Sequence, residues 1–379
     1  MALDGTVISC IAWELNHALA GGKINKIAQP EKDELMLTIK NNRKQYRLLV
    51  SASASLPLVY LTDQNKTGPM TAPNFCMLLR KHIGNGKIIS ITQPGLERAV
   101  EFEIEHLDEM GDLCRKRLIV ELMGKHSNII FCTSEGMIID SIKHISAQVS
   151  SVREVLPGRE YFIPQTARKL NPLETGEEEM AAVMEQAPDP VGKALYSHFT
   201  GISPVMAEEF CHLASIESSV PAAELSEAER IHLSRTFSLA MESVKGGQFS
   251  PCILYKGEEP VEFSALAFTA LPADCCLKEF SSMSQVLETY YASKNVITRI
   301  RQKSSDLRRI VQTALERNYK KYDLQLRQLK DTEKRDKFRI YGELLNTYGY
   351  ELAGGEKELS CLNYYTNETI RIPLDETKT

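Results

Sequence analysis

The sequence predicts an α+β fold in three parts: a mainly antiparallel β domain over residues 1–170, an all-α domain over 171–280, and a coiled-coil arm with a small β tip over 281–379. Three observations carry this reading. Short strand-like runs separated by turn residues occupy the chain as far as residue 142. Helical periodicity takes over after an acidic, proline-bounded stretch at 171–190. From 284 to 341 the chain holds neither Pro nor Gly, and its apolar residues step by three and four in the manner of a heptad repeat.

Asp4 or Thr6 can cap a first helix, in which Ile8, Ile11, Ala12, Leu15, Ala18 and Leu19 recur at helical spacing until Gly21 and Gly22 stop it. Strand candidates follow at 23–29, 34–39 and 46–50, with Asn41-Asn42 as the turn between the last two. A short helix over 73–83 is opened by Pro73 and ended by Gly84. Five more strand candidates lie at 87–93, 98–106, 116–123, 127–132 and 137–142. Strands this short and this closely spaced predict a sandwich or partial barrel carrying two helices. Helices are expected from 190 to Gly246, then a small αβ remainder over 252–277 with a hairpin turn at Gly257. In the arm, Ile297, Ile300, Ser304, Leu307, Val311, Ala314 and Asn318 form the stripe, and Tyr322, Leu326 and Leu329 extend it. Beyond Gly342 the pattern turns strand-like, and the arm lacks a returning partner, so the sequence is expected to dimerise or to be a piece of a longer chain.

Several function classes are disfavoured. Residues 1–20 lack a basic leader region, and Glu14 and His17 interrupt their apolar run, which argues against a signal peptide. No window approaches 18 uninterrupted apolar residues, so no membrane partner is expected. Nine cysteines without C-x-x-C spacing read as reduced thiols of a cytoplasmic protein. No phosphate-loop, dinucleotide-binding, zinc-protease or nucleophile-elbow motif occurs, and the eight histidines form no pair at metal-ligand spacing. The expectation is therefore no enzyme, no catalytic residue, no cofactor, no metal and no small-molecule substrate.

Charge is the most informative local feature. Residues 299–339 hold fourteen Lys and Arg against six Asp and Glu, a local +8; with a formal total of -5, the rest of the chain carries -13. A basic arm on an acidic body is a handle for phosphate backbones, and Arg308, Arg309, Arg317, Lys320 and Lys321 are its candidate RNA contacts. The plainer alternative is a solvated coiled-coil surface. The stretch 195–214 reads as a helix-hairpin-helix, with Gly201, Ile202 and Ser203 at the turn and Pro204 opening the second helix, whose free N–H groups can bind a phosphate. Glu208 and Glu209 weigh against that reading and leave plain packing open. In the 73–83 helix, Phe75, Leu78, Leu79 and Ile83 make an apolar stripe that leaves Arg80 and Lys81 on the other side; His82 is more simply structural. Arg98, with Glu97 beside it to fix its fork, suits a phosphate or a ribose, although a surface ion pair would look the same.

These segments together resemble the family of bacterial RqcH, also called the fibronectin-binding protein A family, whose eukaryotic relative is NEMF. The resemblance rests on Met1-Ala-Leu-Asp-Gly5, Gly22-Lys-Ile-Asn-Lys-Ile-Ala-Gln-Pro30, Pro73-Asn-Phe-Cys-Met-Leu-Leu-Arg-Lys-His82 and Gly95-Leu-Glu-Arg98. To these are added Glu121-Leu-Met-Gly-Lys-His-Ser-Asn-Ile-Ile130, Arg153-Glu-Val-Leu-Pro-Gly158, Gly201-Ile-Ser-Pro204, Asn363-Tyr-Tyr365 and Ile372-Pro-Leu-Asp375. The resemblance implies a β domain similar to that of the formamidopyrimidine DNA glycosylases, a helix-hairpin-helix domain and a coiled-coil arm. It also implies a ribosome quality control factor of the cytoplasm. Such factors bind the large ribosomal subunit carrying a stalled nascent chain and recruit tRNA, in bacteria alanyl-tRNA, to add C-terminal alanine tails without mRNA. The family's Asp-Arg pair falls on Glu97 and Arg98, where the acid is one methylene longer, and a second motif falls on Glu121, Leu122 and Met123. Arg80, Lys81, Arg98 and Lys125 are then expected to hold tRNA while the arm lies along ribosomal RNA, and the ribosome itself supplies the chemistry. Two rival readings differ in what they require. A DNA glycosylase needs an N-terminal Pro and Glu where Ala2 and Leu3 stand. A surface adhesin for fibronectin needs an export signal or an anchor.

Overall fold

A computed structural model of the chain describes residues 3–164 and 169–375, with the side chains at 293–303, 305, 306 and 333 set aside. Met1, Ala2 and the side chains of Ile297 and Ile300 in the stripe, and of Arg299, Arg301, Lys303, Asp306 and Glu333 in the charge count, lie outside the described residues. The chain divides into two compact units, Met1–Thr298 and Arg299–Thr379.

In the first unit, Asp4 caps helix α1 (Gly5–Leu19) by accepting hydrogen bonds from the N–H groups of Thr6 and Val7, both at 3.0 Å. The strands β1 (Lys23–Glu31), β2 (Glu34–Asn41), β3 (Lys44–Ala52) and β4 (Pro57–Leu61) form one antiparallel run. Helix α2 (Asn74–Ile83) then leads to a second run of β5 (Lys87–Thr92), β6 (Ala99–Leu107), β7 (Leu113–Glu121), β8 (Asn128–Thr133) and β9 (Ile138–Ser141). Pairing of β1 with β5 joins the runs into a nine-stranded antiparallel sheet in the order β4-β3-β2-β1-β5-β6-β7-β8-β9. The expected sandwich or partial barrel is thus a single open sheet, curled so that β3 approaches β7. Helix α1 packs on β2, β4 and β5, and α2 packs on β1 and β6, around one core.

Two details differ from the sequence reading. The β2–β3 turn is centred on Asn42 and Arg43, at φ 47° and 63°, because a two-residue hairpin loop of primed type needs positive φ at both positions. Strand β4 was not expected; Pro57 at its first residue suits an edge position. That edge is covered: Leu61 N–H donates to Ser284 Oγ at 2.9 Å, and Thr62 Oγ1 donates to Glu288 at 2.7 Å.

Helices α3 (Glu177–Gln186), α4 (Val191–His198), α5 (Pro204–Leu213) and α6 (Glu227–Lys245) enclose a second core centred on Phe199, Phe210 and Phe237. A three-stranded sheet follows, β10 (Cys252–Lys256), β11 (Glu259–Ser264) and β12 (Cys275–Glu279), with β10 central. Glu209, counted above against phosphate binding, is buried; its carboxylate accepts from the N–H groups of Thr269 (2.8 Å) and Ala270 (3.1 Å) and ties down the chain after β11. Helix α7 (Met283–Tyr348) places Met283, Val286, Leu287 and Tyr290 in the first core.

In the second unit α7 runs past Gly342, where the sequence reading ends it. Leu344 is fully buried there against the hairpin of β13 (Glu358–Asn363) and β14 (Glu368–Pro373), together with Leu359, Cys361 and Ile372. Burying a leucine contributes about 2 kcal/mol. That offsets the ~1 kcal/mol a mid-helix glycine loses relative to alanine.

The two cores of the first unit meet at an approach of backbone to backbone. Gly5 N–H donates to the Gly201 carbonyl at 2.7 Å, and Leu96, from the β5–β6 loop, is fully buried in the helical core beside both glycines. A Cβ on Gly5 would stand 2.7 Å from Gly201 Cα, and one on Gly201 would stand 2.9 Å from Leu96 Cβ. Gly201 is also at φ +76°. Gly201→Ala is expected to lose about 3 kcal/mol in urea unfolding, from left-handed strain and overpacking together. Gly257→Ala, at φ +61° with nothing near its Cβ, is expected to lose only about 1 kcal/mol. Equal losses would contradict the contact's importance.

Candidate functional site

The same approach opens a cleft of about 420 Å³ lined by the β5–β6 loop, the start of α1, the α4–α5 loop, Met123 and Lys169. Its volume lies within the ~300–1,000 Å³ usual for ligand clefts. The β5–β6 loop is fixed from both sides. Gln93 Nε2 donates to the carbonyls of Gly5 (2.9 Å) and Glu97 (2.7 Å), and Leu122 N–H donates to the Arg98 carbonyl at 2.8 Å. The last bond sets Arg98 against the end of β7 and therefore beside Met123. The α4–α5 loop is fixed by Ser203, which caps α5 by accepting from Met206 N–H (3.2 Å) and donates its own hydroxyl to Asp4 Oδ2 (2.6 Å). Asp4 thus caps α1 with one oxygen and holds the start of α5 with the other.

Glu97 and Arg98 are half-buried and both line the cleft. Burial pushes the Glu97 carboxyl above its ordinary range, against the pull of Arg98 and Lys169. Asp4 is also held above the usual carboxylate range by burial, although four hydrogen bonds oppose the shift. The cleft thus carries two cations, a destabilised carboxylate and a buried, fully engaged one. Among the described residues the N–H groups of Ile202, Ser203 and Val205 have no acceptor.

A family model described as NFACT N-terminal and middle domains matches residues 4–379. The chain belongs to the NFACT family. Over 383 residues it is 36% identical to the "Rqc2 homolog RqcH" of Bacillus subtilis (strain 168), which covers all of this chain and 65% of that protein. Over 310 residues it is 22% identical to the human "Ribosome quality control complex subunit NEMF", covering 75% of this chain and 27% of that one. The solved N-terminal part of the fibronectin/fibrinogen-binding protein from Streptococcus suis aligns with a TM-score of 0.63 at 31% identity, over 76% of this chain and 99% of that one. The family likeness read from the residues is borne out. The chain spans about 65% of the length of the Bacillus relative.

Within this NFACT-family chain, the structure gathers some of the candidate residues and disperses others. Glu97, Arg98, Met123, Gly201, Ile202 and Ser203 share the cleft. Arg80, Lys81 and Lys125 do not line it. Arg80 Nε donates to the Ile27 carbonyl at 2.8 Å, Lys81 pairs with Glu109 at 2.7 Å, and Lys125 is exposed on the short turn after Met123. Leu122 is buried in the sheet core. In the second unit Arg308, Arg317, Lys320 and Lys321 are exposed on α7, and among the described residues no acid lies within ion-pairing distance of them; Arg309 is exposed as well. Lys169 and Asp4 were not recognised as cleft residues from the sequence, which offers Asp4 only as a helix cap and part of the opening motif and marks Lys169 by nothing; only the fold brings them together. No helix among the described residues is long and apolar enough to cross a membrane.

Glu121 is fully buried at the end of β7. Arg153 grips both of its oxygens and Tyr161 donates to it at 3.0 Å, so any effect of Glu121 on a ligand passes through Met123 and the loop beside it. Removing one member of a buried pair leaves the other charge uncompensated, at about 3–5 kcal/mol, whereas removing both is far milder. Arg153→Met alone is expected to lower unfolding free energy by about 3 kcal/mol, and Arg153→Met with Glu121→Gln to recover at least half of that. Additive losses in the double variant would contradict the pairing.

Proposed function

We propose that this chain is the N-terminal and arm portion of a cytoplasmic ribosome quality control factor. In this reading it binds the obstructed large ribosomal subunit and tRNA, alanyl-tRNA in particular, and promotes mRNA-independent alanine tailing of the stalled nascent chain. The observation that carries the proposal is the convergence of Glu97, Arg98, Met123 and the loop 201–203 on one cleft, in a chain whose relatives include a protein named as a ribosome quality control complex subunit. Residues 1–170 form the tRNA-handling domain and 171–280 the helix-hairpin-helix domain, with α4 and α5 as its helices. Residues 281–379 form the arm, with α7 as one strand of a coiled coil. Arg98 supplies a charge-assisted fork to a phosphate, and the loop N–H groups at the start of α5 donate to a second oxygen of the same backbone. On the arm, Arg308, Arg309, Arg317, Lys320 and Lys321 meet ribosomal RNA by counterion release. Arg80, Lys81 and Lys125 take an outlying role in holding tRNA. No bond-making side chain is required, because positioning two substrates is itself catalytic on the ribosome.

The test is Arg98→Glu in the full-length protein, read as alanyl-tRNA recovered with large subunits. Reversing a phosphate contact is worth about 1–3 kcal/mol, so recovery is expected to fall about tenfold. Unchanged recovery sinks the cleft as the tRNA site. The Streptococcus suis relative's name offers a second reading, fibronectin binding. Retention on immobilised fibronectin that survives rising salt, with no steep salt dependence on tRNA, would favour it.

A further inference from the structure

We propose that Lys169 is a second RNA-phosphate contact of the cleft, working opposite Arg98, so that one stretch of sugar-phosphate is held at once from the β5–β6 loop and from the segment bonded to the α4–α5 connection. This deepens the cleft reading above and rests on it. The main chain around Lys169 is sewn to the α4–α5 connection: Leu170 N–H donates to the His198 carbonyl (2.8 Å), and Thr200 N–H donates to the Leu170 carbonyl (2.9 Å). Asn171, the next residue but one, lies against Gly95 of the β5–β6 loop and carries the turn that follows through its side chain. Lys169 therefore stands on the segment that spans the two walls, and its position is set by both.

The ammonium donates to the Tyr196 carbonyl at 2.7 Å, in the last turn of α4. An ammonium has three hydrogens, so two remain for a ligand. Its charge is not absorbed by the cleft. Among the described residues the acids lining it are Glu97 and Asp4, and Asp4 spends its oxygens on Thr6, Val7 and Ser203. Arg98 and Lys169 share the cleft with Glu97. Burial and the Arg98 guanidinium both hold the lysine below its ordinary range, while Glu97 opposes them. An anion arriving between the two cations would relieve that repulsion. A compact ammonium at the rim suits a phosphate as a point charge, whereas Arg98 supplies directed donors.

A purely structural role is the competing account, since a lysine bonded to the last turn of a helix also favours the helix dipole. The test separates them with Lys169→Gln and Lys169→Arg in the full-length protein, because both side chains can still donate to the Tyr196 carbonyl and only one keeps the charge. The readout is equilibrium binding to an unacylated tRNA transcript across a salt series, with thermal melting recorded alongside. Each lost phosphate contact lowers the slope of log affinity against log salt by about 0.7–0.9. Lys169→Gln is expected to bind about fivefold more weakly, with its slope reduced by about one, and Lys169→Arg to keep the wild-type slope. A wild-type slope in Lys169→Gln, with Arg98→Glu impaired, overturns this inference and leaves the cleft reading standing. Wild-type slope and affinity in Arg98→Glu as well would remove the cleft reading itself. Equal loss of slope in Lys169→Gln and Lys169→Arg would show that side-chain shape, not charge, is used, and would also overturn the proposal.

Discussion

The fold of the first unit depends on three backbones that touch without side chains between them. Gly5 begins α1, Gly201 turns α4 into α5, and Leu96 enters the helical core from the β5–β6 loop. Any Cβ at either glycine would push the β domain and the helical domain apart. The bond from Ser203 to Asp4 adds direction to that contact, since one carboxylate caps α1 and receives the hydroxyl that caps α5. The cleft follows from this geometry. Residues 97 and 98 lie next to a loop that is more than one hundred residues away in sequence because Leu96, directly before them, is the plug.

Charge is divided with similar economy. Glu121 and Arg153 pair inside, Arg117 pairs with Glu101 across β6 and β7, and Lys66 pairs with Glu34 at 2.8 Å. These cations belong to the protein's own architecture. Arg317, Lys320 and Lys321 on α7 are solvent-facing, and so is Lys169 at the cleft rim. A nucleic-acid reading needs cations of the second sort, because a group already satisfied by a buried carboxylate gains little from a phosphate. Burial raises the Glu97 carboxyl above its ordinary range, against the pull of Arg98 and Lys169.

Much of this was legible in the sequence, for physical reasons. Helix α1 announces itself through Asp4 and its apolar period, and most strands through short apolar runs between turns. Strand β4 escaped because its five residues follow a serine-rich stretch and begin with proline, and the first turn of α7 completes its edge. The extension of α7 beyond Gly342 escaped because glycine disfavours a helix locally, while the burial of Leu344 against β13 and β14 is a tertiary effect. In the site, Glu97, Arg98 and the loop 201–203 could be singled out as local patterns. Their meeting could not, since it depends on which backbones lack a Cβ at a long-range contact. Lys169 has no local pattern at all. Glu209 and Glu121 carry no sign of burial in the sequence, and the structure turns both inward because backbone amides or an arginine await them.

The account stands or falls on whether the cleft beside Gly201 receives RNA. The most direct measurement is a cryo-EM reconstruction of the full-length protein on obstructed large subunits with tRNA present. The account predicts a tRNA phosphate seated between residue 98 and the 201–203 loop, with Lys169 facing it. A well-defined tRNA bound elsewhere on the protein, with this cleft open to solvent, would contradict it.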